Sequence, residues 1–164
     1  MRSLEQFLQA YGESHRNPLN QYIHFLCVPA IFFSSLGLLW LIPIGSWLGL
    51  SANVAYWVNG ATLLGVLAGL LYLRLSIGTF VLMVGWFAAS VLGVIAIVQQ
   101  GWPLAWICIA TWVVSWIIQV YGHKVEGKKP SFIDDLVFLL IGPVFVSVEI
   151  AAKLGIKTRH ALPH

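Results

Sequence analysis

Apolar residues fall into four long runs along the chain, at 24–43, 54–73, 77–98 and 104–121. About 20 consecutive apolar residues cross a bilayer as a helix, and none of the four runs has an ionised side chain in its interior. The connections between them are short, so successive runs should be antiparallel transmembrane helices. Residues 1–22 read differently. Leu4, Phe7, Leu8 and Tyr11 recur at helical spacing among polar residues, which predicts a short helix lying on the membrane surface. Pro18 should end or redirect it, because proline disfavours the helical region for the residue before it. This segment has no contiguous apolar core and is not expected to act as a signal peptide.

A fifth apolar run, 132–152, starts with Asp134 and Asp135, contains Gly142-Pro143, and carries Glu149. Lys153, Lys157 and Arg159 follow in a polar tail, 153–164. A single crossing would send those cations to the side opposite the others. The run is therefore expected to be a re-entrant or interfacial helical hairpin, with a fifth or sixth crossing as the alternative. Ala61, Gly65 and Gly69 recur every fourth residue, as do Gly85, Ala89 and Gly93; such stripes allow close helix packing in lipid. The pattern predicts one all-α integral membrane domain over 1–164. It comprises four transmembrane helices, the C-terminal hairpin and the N-terminal interfacial helix.

Composition supports this reading. Hydrophobic residues make up 59% and charged residues 9%, against about 25% charged in soluble domains, so a water-facing surface cannot be built from this inventory. Cys27 and Cys108 both lie in apolar runs and should pack as small hydrophobes.

The net charge of +3 matters less than its placement. The segments 44–53 and 99–103 carry no charge, whereas Arg2, Arg16, Arg74, Lys124, Lys128 and Lys129 share one side if each run crosses once. By the positive-inside rule that side, with the N-terminus, is cytoplasmic. Either a bacterial inner membrane or an endoplasmic reticulum fits. Trp40, Trp47, Trp57, Trp102 and Trp106 flank the uncharged segments as an aromatic belt would. Sparse lysines at the ends of apolar runs do not make a nucleic-acid surface, so no nucleic-acid partner is expected. No feature specifies an oligomer.

Under this topology His15, His24 and His123 lie at the same membrane surface. The nine-residue interval from His15 to His24 would put them on opposite faces of an unbroken helix, but the Asn17-Pro18 break lets them converge. Asn20 lies one turn before His24, and Glu126 three residues after His123. A carboxylate in VFVSVEIAA, Glu149, is costly to bury unless it is paired, protonated or bound to a cation. Three imidazoles with one or two carboxylates suit a mononuclear iron, zinc or manganese site. The plainer alternative has interfacial histidines bonding to lipid headgroups, and for any one of them it is the better account. His160 and His164 lie in the polar tail and are not assigned a role. No two histidines are close enough for the HxxHH boxes of di-iron desaturases.

The segment YGESHRNPLNQYIHFLCVPA resembles a Tyr-x3-His-x4-Asn-x3-His-x4-Pro signature, at Tyr11, His15, Asn20, His24 and Pro29. YGHKVEGKKPSF is similar to a Gly-His-x2-Glu-x3-Pro motif, at Gly122, His123, Glu126 and Pro130. GPVFVSVEIAAKLG is similar to a third block, with Pro143, Phe145 and Glu149. Together they identify the chain, from about residue 4 to 154, as resembling the membrane-bound 2-hydroxy fatty acid dioxygenases. One departure is Ser131, where the second motif usually has Ala.

The resemblance implies an Fe(II)-dependent enzyme using O2 to cleave a 2-hydroxy long-chain fatty acid to the acid one carbon shorter. The characterised activity belongs to fatty-acid α-oxidation, between phytosphingosine and odd-chain acids. It also implies that His15, His24 and His123 hold the iron and that Asn20, Glu126 and Glu149 serve the site. The division of ligand and supporting roles between the two glutamates stays open. Asn20 is a candidate for orienting an imidazole. The cations Arg16, Lys124 and Lys128 are weaker candidates for attracting the substrate carboxylate. Two other readings stand beside this one: a zinc-dependent lipid hydrolase using the same ligands, and a non-catalytic lipid-binding or transport protein. The apolar spans and lack of an internal repeat disfavour transport.

Overall fold

The computed structural model describes residues 6, 12, 15–127 and 132–153, with 132–139 and 153 described as backbone only. Among the described residues the architecture is all-helical, without strands. In chain order the helices are α1 (Pro18–Trp40), α2 (Ile44–Trp47), α3 (Ala52–Trp57), α4 (Gly60–Leu75), α5 (Ile77–Gln99), α6 (Leu104–Glu126) and α7 (Phe132–Lys153). They form two compact units. One combines Met1–Ala30 with Val114–His164, and the other is Ile31–Val113.

The Ile31–Val113 unit has a core of Leu36, Trp40, Ala61, Val94, Leu104 and Cys108, and α4 packs on α5. The small-residue stripes have a more specific use than backbone contact. A Cβ at Gly65 would lie 2.7 Å from the Phe87 ring, and one at Gly93 would lie 2.9 Å from the Phe33 ring, whereas Gly85 faces open space. Two of these glycines are notches for aromatic rings. Trp40 also departs from the expected belt: it is buried in the core, with its ring 5.5 Å from Tyr56 and 5.9 Å from Trp57. Trp47, Trp57, Trp102 and Trp106 are exposed, as a belt requires.

Among the described residues three helical stretches are long and apolar enough to cross a membrane: Pro18–Trp47, Ile77–Gln99 and Leu104–Glu126. Their outward surfaces carry large apolar side chains, among them Leu26, Ile77, Leu92, Trp106 and Ile117. Water would penalise such a surface and lipid would not.

The run 54–73, expected as one span, is broken. Asn59 is buried and extended, and its side chain accepts from Ala61 N and Thr62 N, while Thr62 Oγ1 accepts from Asn59 N. This capping box starts a new helix inside an apolar run. At 16 residues α4 is about 24 Å long, short of the roughly 30 Å hydrocarbon core.

The expected hairpin over 132–152 is instead one continuous helix, α7, with Pro143 inside it. A proline within a helix removes one backbone hydrogen bond and kinks the chain, but reversal needs turn conformations on both sides. Here Gly142 and Pro143 are both buried in helical backbone, and Ser147 Oγ donates to the Pro143 carbonyl at 2.7 Å. From Ile141 to Glu149 only Ser147 is more than slightly accessible.

The expected boundaries near the histidines move as well. Pro18 begins α1 rather than only ending the segment before it, so residues 18–22 belong to α1 and His24 lies in its second turn. The helix α6 continues past residue 121 to Glu126, and Gly127, with φ of 76°, ends it. The remainder of the N-terminal surface helix and the tail beyond 153 lie outside the described residues.

Candidate metal centre

The start of α1 sets the geometry. Pro18 occupies the first helical position, where a missing N–H costs nothing. Asn17 precedes it, and its Oδ1 accepts from Leu19 N at 2.9 Å, the bond of an N-cap. The chain before the cap, at His15 and Arg16, is not helical. His15 N donates to the Gly12 carbonyl at 3.1 Å, and the His15 carbonyl accepts from Gln21 Nε2 at 2.9 Å. His15 is thereby held on both sides, with its ring turned inward at 2% exposure.

The helix α6 supplies the opposite wall. Ser115, Gln119, Gly122 and His123 are buried, and their intervals of four, three and one place them on one face. At Gly122 a Cβ would lie 2.5 Å from Asn20 Oδ1 and 3.2 Å from Ile23 Cδ1, so α1 approaches α6 at a point only glycine permits.

His15, His24 and His123 meet between these elements. Their ring centroids are 4.1 Å (His15–His24), 5.1 Å (His24–His123) and 5.4 Å (His15–His123) apart, each pair edge-on. His15 Nε2 and His24 Nε2 are 3.0 Å apart, and the nitrogens of all three lie within 4.8 Å of one another. Two nitrogens bound at right angles to one ion at 2.1 Å would be about 3 Å apart. All three residues are buried. Among the described residues this is the group of histidine, cysteine and carboxylate side chains that fits a metal ion.

The glutamates are placed differently from each other. Glu126 Oε1 accepts from Arg16 N at 3.0 Å, and Oε2 accepts from Asn17 N at 2.9 Å and Asn20 Nδ2 at 3.1 Å. Its carboxylate thus closes the N-terminal end of α1, where backbone N–H groups and the helix dipole favour an anion. Asn20 is part of this latch. Glu149 is buried on α7, four residues beyond Phe145, whose ring centroid lies 5.9 Å from that of His15. Neither carboxylate joins the ligand group among the described residues. The expected set of histidines plus carboxylate on one face is here three imidazoles. Arg16 and Lys124 are exposed beside His15 and His123 in the chain, and Lys128 lies outside the described residues.

One polar residue has no counterpart in the expectations from sequence. Gln119, 6% exposed, brings its side-chain amide to 3.4 Å from His24 Nδ1. Its signal was faint but present: a lone amide in an apolar run, one turn before His123 on the same helix face.

The sequence as a whole has known relatives. The chain is 31% identical over 163 residues to the 2-hydroxy-palmitic acid dioxygenase MPO1 of Saccharomyces cerevisiae, a match covering 95% of this chain and 84% of that protein. No solved structure matches it. The family model described as 2-hydroxy-palmitic acid dioxygenase Mpo1-like matches residues 1–154, a range that holds all three histidines, Asn20 and both glutamates, and the chain belongs to the Mpo1-like family.

Proposed function

We propose that this protein is a membrane-embedded Fe(II)-dependent dioxygenase that cleaves a 2-hydroxy long-chain fatty acid to the acid one carbon shorter. The observation carrying the proposal is the buried trio His15, His24 and His123, in a chain related over nearly its whole length to a 2-hydroxy-palmitic acid dioxygenase. In the overall reaction the C1–C2 bond breaks and C2 becomes the new carboxyl carbon. C1 leaves as carbon dioxide, and one dioxygen takes the four electrons, with water as the remaining product.

The donor set fits ferrous iron. Three neutral imidazoles leave the ion's charge uncompensated, a match for a monoanionic 2-hydroxy carboxylate. When bound, the ion would supply positions for the substrate's hydroxyl and carboxylate oxygens and for dioxygen. The chain's own residues do the rest. Glu126 and Asn20 hold the start of α1 and, through Arg16, the backbone next to His15. Phe145 walls His15 on the α7 side and limits water there. Arg16 and Lys124 attract the carboxylate at the surface.

On this reading α4 makes a fourth crossing, its shortfall of about 6 Å met by local thinning of the bilayer, and charge placement puts the N-terminus and the site on the cytoplasmic side. The acyl tail then lies among apolar helices while its head reaches the histidines.

A zinc hydrolase is the second reading, favoured by the absence of a carboxylate from the ligand group among the described residues. Three histidines are also a catalytic zinc set. Metal analysis of anaerobically purified protein, followed by oxygen uptake with 2-hydroxyhexadecanoate and with hexadecanoate, separates the two. The dioxygenase should hold about one iron per chain and consume oxygen with the hydroxy acid alone. Stoichiometric zinc, or iron without substrate-dependent uptake, would overturn the proposal.

A further inference from the structure

A histidine can ligate through either ring nitrogen, and the partner of the other nitrogen decides which. His24 has its two nitrogens in different surroundings. Nε2 faces the His15 Nε2 at 3.0 Å, inside the trio, and Nδ1 faces the Gln119 amide at 3.4 Å, away from it. Gln119 is anchored for this task. It is buried, it sits one turn before His123 on the same face of α6, and the rigid helix carries both side chains.

We infer that Gln119 is a positioning residue that, by accepting a hydrogen from His24 Nδ1, leaves the Nε2 lone pair of His24 free for metal binding. This rests on the metal reading above, though not on which metal is bound. The amide has two chemically opposite ends. With Nε2 toward the ring, Gln119 donates to Nδ1, and the ring hydrogen sits on Nε2 facing His15. A half-turn of the amide presents Oε1 instead. Nδ1 then carries the hydrogen and donates it, and the Nε2 lone pair is free to point into the trio. The ring hydrogen moves from one nitrogen to the other with no net gain or loss of protons. Only with Oε1 toward the ring does Gln119 favour the metal-binding tautomer, and there it acts as acceptor, the role a carboxylate or carbonyl usually fills behind a ligating imidazole.

The test is Co(II) titration of metal-stripped full-length protein in detergent, followed through the visible absorption of the bound ion, for wild type, Gln119→Leu and Gln119→Glu. Gln119→Leu should weaken Co(II) binding by about 10- to 100-fold and alter the visible spectrum, with the melting temperature of the stripped protein close to wild type. Gln119→Glu, acceptor-only in its ionised form, should at a pH well above the carboxyl range bind at least as tightly as wild type. Wild-type affinity in Gln119→Leu would overturn the inference. So would a Gln119→Glu variant that binds as weakly as Gln119→Leu, because the amide would then be needed as a donor. Should Gln119→Leu fail to fold, Gln119→Glu alone decides between acceptor and donor. A wild-type protein that binds no Co(II) would instead sink the metal reading itself, and this inference with it.

Discussion

Glu126, the last residue of α6, accepts the backbone N–H of Asn17 at 2.9 Å, joining positions 109 residues apart at the mouth of α1. The same carboxylate takes Arg16 N and Asn20 Nδ2. This relationship separates Glu126 from the histidines beside it in role. It organises the backbone that presents His15 and leaves the inward positions to imidazole.

Glu126→Ala leaves two backbone donors without their acceptor. The expected loss is about 1–3 kcal/mol of stability, with weaker metal binding because His15 is no longer held. Glu126→Gln keeps an acceptor oxygen and should lose less. Melting temperature and metal content measured on both variants check this. Complete metal loss in a Glu126→Gln protein that melts like wild type would show the carboxylate to be a ligand instead.

The three histidines should behave alike. His15→Ala, His24→Ala and His123→Ala each remove one of three donors, and each should purify with little metal and no measurable oxygen uptake. Full metal occupancy in any of the three would remove that residue from the ligand set.

Glycine at 122 allows α1 and α6 to approach, since a methyl there would press on Asn20 Oδ1 at 2.5 Å. Gly122→Ala should cost about 1–3 kcal/mol from overpacking and should lower activity by displacing Asn20 from Glu126. Gly85 is the control. A Cβ there meets nothing within 4 Å, so Gly85→Ala should be neutral or stabilising by up to about 1 kcal/mol in mid-helix. Thermal melts in detergent read both, and equal effects from the two substitutions would contradict the packing account.

Asn59→Ala removes the capping box that starts α4. The expected cost is about 0.5–2 kcal/mol, with metal affinity unchanged because Asn59 belongs to the Ile31–Val113 unit. A metal-binding defect as large as the loss of stability would refute that separation.

The convergence of the histidines is legible in the sequence. The Asn17-Pro18 pair announces a break between His15 and His24, and the one-sided charge places His123 at the same surface. What stayed hidden depends on contacts between distant segments. Glu126 was visible as a candidate, but its partners are main-chain groups near the other end of the chain, which no local pattern encodes. Pro143 reads as a breaker in isolation, yet dense packing around Ile141–Glu149 keeps its helix continuous. Asn59 lies inside a run whose hydropathy reads as one span, because its capping bonds depend on a backbone conformation that hydropathy does not report. Gln119 was masked in the same way, since one amide barely alters the apolar character of its run.

The trio draws its members from both ends of the sequence, with His15 and His24 made early and His123 about a hundred residues later. On the proposed ligand set, a chain still being synthesised offers an ion two imidazoles and no latch from Glu126. On that ligand set the third imidazole joins the site only once α6 is made, so an ion would meet its full set of donors in the finished chain.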